Sequence, residues 1–196
     1  MKSPKSNPTE CEESLRERLA GLEGSWIAVF VKTGWEMAAA KQLSDFGYER
    51  YLPLRRSLHR LGRGEHREAP LFPGYVFCRF QSLPTVRIMR AHGVLRIVGH
   101  GGVPIAVPDV EMDSIRRVLE SGLTYEPCKA LQKGQRVRVD EGPLRGVEGT
   151  VLSMKSGSRL IVGVQLLQRF VAVELPGWHV TPLPFLAEGD GMPSIG

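Results

Sequence analysis

Patterns that carry covalent chemistry are scarce in this chain. The three cysteines, Cys11, Cys78 and Cys128, are widely spaced and form no CxxC pair. An odd, scattered set gives neither a disulfide framework nor a zinc site, and free thiols fit a reducing cytoplasm. No apolar run reaches the roughly 18 residues of a membrane-spanning helix. The opening MKSPKSNPTECEES has no apolar core that would serve as a signal peptide. A cytoplasmic location with no membrane contact is therefore expected. There is no GxxxxGK[ST] phosphate loop and no GxSxG nucleophile elbow. His59 and His66 lie seven apart on a polar stretch with no cysteine nearby, which is not ligand spacing. His92, His100 and His179 have no acid or nucleophile partner in sequence. We read no catalytic residue, no metal ligand and no cofactor, and expect a binding protein rather than an enzyme.

What is present is enough apolar material for packed cores. Of 196 residues, 42% are hydrophobic and 24% charged, which fits one large or two small domains. A net charge of +5 and a pI near 9.3 permit contact with polyanions without requiring it.

Residues 1–24 read as a polar tail, with Leu15, Leu19 and Leu22 spaced for one short amphipathic helix. WIAVFV at Trp26–Val31 is a buried-type strand. A helix is expected from about Trp35 to Phe46, with Ala39, Leu43 and Phe46 inward, Thr33 as N-cap, Glu36 completing a capping box and Gly47 as terminator. Tyr48–Leu54 reads as a strand. Arg55–Glu68 holds five arginines against two glutamates and reads as a polar, hairpin-like loop. LFPGYVFCRF, Leu71–Phe80, is the returning strand, and apolar groups fall on both its faces. That pattern fits a central strand buried on both sides or a strand whose second face awaits a partner. A short helix at Pro84–Ala91, a strand at Gly93–Val98, a turn at Gly99–Gly102 and a helix from Pro108 to Ser121 complete the unit. Met112, Ile115 and Leu119 form the buried stripe of that last helix. A sheet with helices on one side is an α+β sandwich.

Residues 123–130 read as a polar connector. From Leu131 the pattern turns all-β, with about five short strands in a small curled sheet or barrel. Gly142 and Gly146 flank a tight turn, Gly149 sits where a side chain would block close packing, and Val137, Val139, Val147 and Val151 line the interior. Residues 185–196 read as a frayed tail. The fold class is thus α+β: an α/β sandwich with an antiparallel sheet at 25–122, then a small all-β barrel at 131–184.

The order WIAVFVKTGWE, YLPL, PLFPGYVFCRF, GVLRIVG and an IAVP-led helix resembles the NGN domain of the NusG family of transcription elongation factors. GQRVRVDEGPLRGVEGTVL followed by RLIVGVQLLQRFVAVEL resembles the KOW domain, an SH3-like barrel that follows NGN in that family. Together they cover roughly residues 25–184. LFPGYVF, the arginine-rich loop and LLQRFVAVE look more like the RfaH, LoaP and UpxY antiterminators than like housekeeping NusG.

The resemblance implies a transcription elongation or antitermination factor that binds the clamp helices of bacterial RNA polymerase, suppresses pausing or termination, and works as a monomer. The positions equivalent to the polymerase-binding face are Phe30, Phe72, Pro73, Tyr75 and Phe77, with Trp26, Val76 and Phe80 assigned to the core. Some of the first set serve equally well as core. Lys32, Arg55, Arg56, Arg60, Arg63, Arg67, Arg87 and Arg90 are the candidates for contact with non-template DNA or nascent RNA, or else form a solvated charged face. Where RfaH-like paralogues read DNA with basic residues on the first helix, this chain has Ala38 and Gln42 and keeps charge only at Lys32. Backbone contact is therefore expected rather than specific readout. Leu166, Leu167 and Arg169 match the KOW strand edge that meets Rho or a small-subunit ribosomal protein, or are ordinary barrel core. The alternative function is an RNA-binding or ribosome-associated KOW protein.

Overall fold

Strand β1 (Trp26–Val31) is the axis of the first unit. The computed structural model describes residues 21–61, 65–80, 86–101, 103–128, 134–154 and 157–184. Contacts divide the chain into two units, Met1–Met112 and Asp113–Gly196.

In the first unit β1 pairs antiparallel with β5 (Tyr75–Arg79) on one side, and with β6 (Val94–Ile97) and β9 (Ala106–Val107) on the other. The short β2 (Arg50–Tyr51) adds outside β5. Strand alternation then sorts the apolar residues into two sets. Ile27, Val29 and Val31 join Val76, Cys78 and Phe80 in one core with Ala39, Ala40 and Leu43 of helix α1 (Glu36–Asp45). Trp26, Ala28 and Phe30 lie opposite Arg79, Phe77 and Tyr75 and form the second face. Trp26 therefore belongs with Phe30, contrary to its expected place beside Val76 and Phe80. Positions 26 and 30 have the same parity on one strand, and the register admits no other sorting.

Helix α1 ends where expected. Gly47 takes φ +90°, its N–H reaches the Ser44 carbonyl, and the Tyr48 N–H reaches Leu43. Its start differs from the expected capping box. The N-cap is Trp35 rather than Thr33, and no side chain caps it, since an indole offers no acceptor; Glu36 becomes the first helical residue and its carboxylate has other partners.

The arginine-rich segment is more regular than a polar loop. β3 (Leu54–Leu61) and β4 (Glu65–Pro70) form a two-stranded ladder of their own, with a register shift between Arg56 and Arg60. The expected strand over Tyr48–Leu54 shrinks to β2. Within the expected helix at Pro84–Ala91, α2 (Val86–Met89) forms; Pro84 and Thr85 lie outside the described residues. The expected turn at Gly99–Gly102 begins on β7 (Gly99–His100), which pairs with β8 (Val103–Pro104); Gly102 lies outside the described residues. Helix α3 (Asp109–Glu120) carries the chain from one unit to the next. It buries Met112, Ile115 and Val118, so Val118 takes the place expected for Leu119.

The second unit is an antiparallel sheet of β10 (Tyr125–Cys128), β11 (Gln135–Val139), β12 (Glu148–Met154), β13 (Gly157–Val164), β14 (Arg169–Leu175) and β15 (Val180–Pro182). Its order is β10-β14-β13-β12-β11-β15. Within the expected connector at 123–130, Tyr125–Cys128 is an edge strand, with Tyr125 opposite Val173 and Cys128 opposite Phe170. Pro127 is tolerated because an edge strand has one side without a ladder. Val137, Val139, Val147, Leu160, Val162, Val171 and Val173 fill the core, each side chain contributing roughly 1.5–3 kcal/mol by burial. Val151 is half-buried. At Gly149 a Cβ would lie 2.5 Å from the Ile161 carbonyl oxygen, so only glycine fits that crossing. Of the expected N-terminal tail, residues 1–24, residues 21–24 form a turn and 1–20 lie outside the described residues, as does the expected C-terminal tail, 185–196.

Candidate functional site

The second face of the first sheet is graded from closed to open. Ala28 and Phe77, a cross-strand pair, are fully buried. Trp26 is buried too, with the Arg79 guanidinium 4.6 Å from its ring centroid and Tyr51 edge-on at 6.5 Å. Arg79 is pinned there by Asp109 at 2.9 Å and by the Gly24 carbonyl at 2.6 Å. At the other end of β1, Phe30 and Tyr75 are partly buried, neither closed off nor fully open, with ring centroids 5.3 Å apart and planes tilted by 51°. Arg96, opposite Phe30 on β6, stands 5.3 Å over the Phe30 ring. Such a contact contributes about 0.5–1 kcal/mol at an exposed site. Lys32 and Pro73 are exposed beside the pair in sequence. This end offers two aromatic faces and two cations to whatever covers it.

The LFPG turn before β5 supplies that geometry. Gly74 takes φ +84°, a conformation other residues adopt only under strain, and its Cβ position would be 3.3 Å from the Phe30 ring. Its carbonyl accepts the Val31 N–H at 2.8 Å. Its N–H donates to Glu36 Oε1 at 2.8 Å, while Glu36 Oε2 accepts the Gly34 N–H at 2.7 Å.

Five residues were expected on the polymerase-binding face, and the structure separates them. Phe30 and Tyr75 are partly open and Pro73 is exposed. Phe72 and Phe77 are 2% and 0% exposed, which corrects their expected place on an open surface. Their rings pack edge-to-face at 6.3 Å, so each is consumed in closing the buried end of the face. Sequence reasoning missed Arg96 and Glu36. Arg96 alternates out of GVLRIV, but its place over Phe30 follows only from the register of β6 on β1.

Of the expected nucleic-acid contacts, Lys32, Arg87 and Arg90 are exposed and Arg55 is half-exposed. Arg56, Arg60 and Arg67 lie on the β3–β4 ladder, and Arg63 lies outside the described residues. The structure does not make the expected strand edge of Leu166, Leu167 and Arg169. Leu166 and Leu167 lie in a short turn of 3-10 helix, Gln165–Leu167, and Leu167 is buried. Arg169 opens β14, a strand paired with β13 and β10 on its two sides. The edges of that sheet are β10 and β15.

Two shifted groups sit in the α1-facing core. Burial pushes the Cys78 thiol up to about 12. Tyr48 is raised as well, by burial first and then by Cys78, with Arg87 acting in the opposite direction. Both groups are held neutral, and neither faces the aromatic pair.

The model of a family described as "Transcription termination factor nusG" matches residues 24–116. A Vibrio vulnificus protein named "Transcription termination/antitermination protein NusG" is 31% identical over 178 residues, covering 81% of this chain and 95% of that protein. This chain belongs to the NusG family. A NusG of Pseudomonas aeruginosa is 29% identical over 171 residues, 76% of this chain and 93% of that protein. One from Vibrio parahaemolyticus is 34% identical over 134 residues, 63% of this chain and 71% of that protein. A solved structure titled "Domain interaction in Thermotoga maritima NusG" matches at 21% identity with a TM-score of 0.47, covering 76% of this chain and 92% of that chain. NusG-family membership makes this a factor of the transcription termination and antitermination class. The family-model match includes every element of the aromatic face, from β1 through β9.

Proposed function

We propose that the chain is a transcription elongation and antitermination factor that docks on bacterial RNA polymerase through Phe30, Pro73 and Tyr75. The observation that carries this is the partly exposed Phe30–Tyr75 pair under Arg96, at the open end of a sheet face whose other end is closed. Aromatics bury large area at low entropy cost and dominate interface energies. The clamp helices of the polymerase are the partner of the equivalent face in the family resemblance. Binding the closed clamp in preference to the open one stabilises the elongating state and suppresses pausing, with no bond chemistry. The factor acts as a non-enzymatic monomer in the cytoplasm.

Lys32, Arg87, Arg90 and the β3–β4 hairpin contact the phosphate backbone of non-template DNA or nascent RNA, a term that weakens with salt. Leu166 and Arg169 at the β13–β14 turn contact the second partner, Rho or a small-subunit ribosomal protein. An RNA-binding role for the second unit alone has less support. Arg136 and Arg138 are held by Glu148, and Arg159 by Glu126 and Glu174, so these cations are spent within the sheet.

Core polymerase retained by immobilised full-length protein, and lost with Phe30→Ala/Tyr75→Ala of unchanged circular dichroism, supports the reading. Equal retention by that folded variant removes the face.

A further inference from the structure

Glu36 is the one buried carboxylate among the described residues. A carboxylate at 3% exposure needs compensating hydrogen bonds, because burial of an unpaired charge costs several kcal/mol. Glu36 finds two backbone N–H donors from different parts of the chain. Gly34 is local, two residues back, at 2.7 Å. Gly74 is 38 residues away, at 2.8 Å. The carboxylate thus ties the entry of α1 to the turn that launches β5. Charge-assisted bonds of this kind are roughly twice as strong as neutral ones, and the first turn of a helix favours the negative charge.

The tie acts on the aromatic pair from both sides. Gly74 precedes Tyr75, and its carbonyl holds the Val31 N–H next to Phe30. The close approach of Phe30 to Gly74 puts that ring against the same turn. We infer that Glu36 is a positioning residue for docking: it fixes the Gly74 turn and thereby the mutual placement of Phe30 and Tyr75, without touching the partner. The inference rests on the docking reading above, and it adds a residue that is neither aromatic nor exposed.

The test uses the full chain in three forms. Glu36→Gln keeps the volume and one acceptor, but its amide NH2 cannot receive the second N–H. Glu36→Asp keeps the charge and the local Gly34 bond but is one methylene too short for Gly74. Phe30→Ala/Tyr75→Ala is the reference. The readouts are amide exchange at Gly74 and Val31, the ring-proton shifts of Tyr75, and affinity for core RNA polymerase. In both Glu36 variants exchange at Gly74 should rise at least tenfold and the Tyr75 ring shifts should move. Protection at Val137 and Val171, in the second unit, should stay as in wild type. Polymerase affinity should fall roughly tenfold, by loss of one charge-assisted bond's worth of pre-organisation. Should Glu36→Gln not fold, Glu36→Asp carries the same readouts. Unchanged exchange at Gly74 overturns the inference, and so does a loosened turn with wild-type affinity. If Phe30→Ala/Tyr75→Ala loses polymerase while both Glu36 variants bind fully, the inference alone fails. If that reference pair binds like wild type, the docking reading itself fails.

Discussion

The two faces of the first sheet are built from the same strands and the same kinds of residue, yet they end in different states. On the α1 side, Val29, Val31, Val76 and Leu43 are all fully buried. On the other side burial is complete at Phe77 and Ala28 and lapses at Phe30 and Tyr75. The difference is one of cover. A helix laid along the strand closes a whole face, whereas a face closed only at one end leaves its remaining aromatics half in water. Stability should reside on the first face and recognition at the open end of the second, and each substitution below separates the two.

The largest expected effect is Leu43→Ala, on the closed face. Removing a fully buried leucine side chain leaves a cavity that costs about 2–5 kcal/mol. Denaturant unfolding should show that loss, while polymerase affinity per folded molecule stays near wild type. Next is Phe30→Ala/Tyr75→Ala. Two anchors, of about 2 kcal/mol each at hot-spot values, should together lower polymerase affinity by roughly 700-fold. The melting temperature should fall less than for Leu43→Ala, because both rings are only partly buried while Leu43 is fully so. Gly74→Ala should then cost about 1–2 kcal/mol of stability, from the positive φ and the 3.3 Å approach to Phe30. It couples the faces, since it should also shift the Tyr75 ring resonances.

A smaller effect should appear in alkali. The Cys78 thiol is raised from 9.0 to about 12 by burial, so the native state keeps its proton where the unfolded chain gives it up. Its contribution is whole below about pH 9 and is lost as pH climbs towards 12. Tyr48, also raised, adds in the same direction. Stability measured against pH should therefore fall through this window, and Cys78→Ala should flatten the fall. A stability curve that is level from pH 8 to 11 would contradict the burial assigned to both groups. The smallest effect is for Arg87→Ala/Arg90→Ala, which should reduce the salt slope of nucleic-acid binding by about two and leave folding untouched.

Much of this division can be read from sequence, because period-two alternation sorts a strand's residues without knowledge of what covers them. WIAVFV gave β1 with its observed bounds, Gly47 ended α1, and Gly142 and Gly146 take the positive φ that their turn requires. Other features depend on distant parts of the chain. Glu36 looks like half of a capping box until Gly74, 38 residues on, claims its carboxylate. Phe72 and Phe77 have the same character as Tyr75, and only their mutual packing tells them apart. Polar YEPC reads as a connector because its pairing energy lies in the backbone, which composition does not report. Trp26 shares the parity of Phe30 on β1, so alternation alone is enough to place it on the second face.

The most direct measurement replaces single residues with a benzophenone photo-crosslinking amino acid in the full chain bound to RNA polymerase. Position 75 lies at the open end of the second face, and position 37, exposed on α1, serves as the control. A crosslink from Tyr75→benzoylphenylalanine to the polymerase clamp helices is expected, and none from Met37→benzoylphenylalanine. A clamp crosslink from position 37 with none from position 75 would contradict the docking reading.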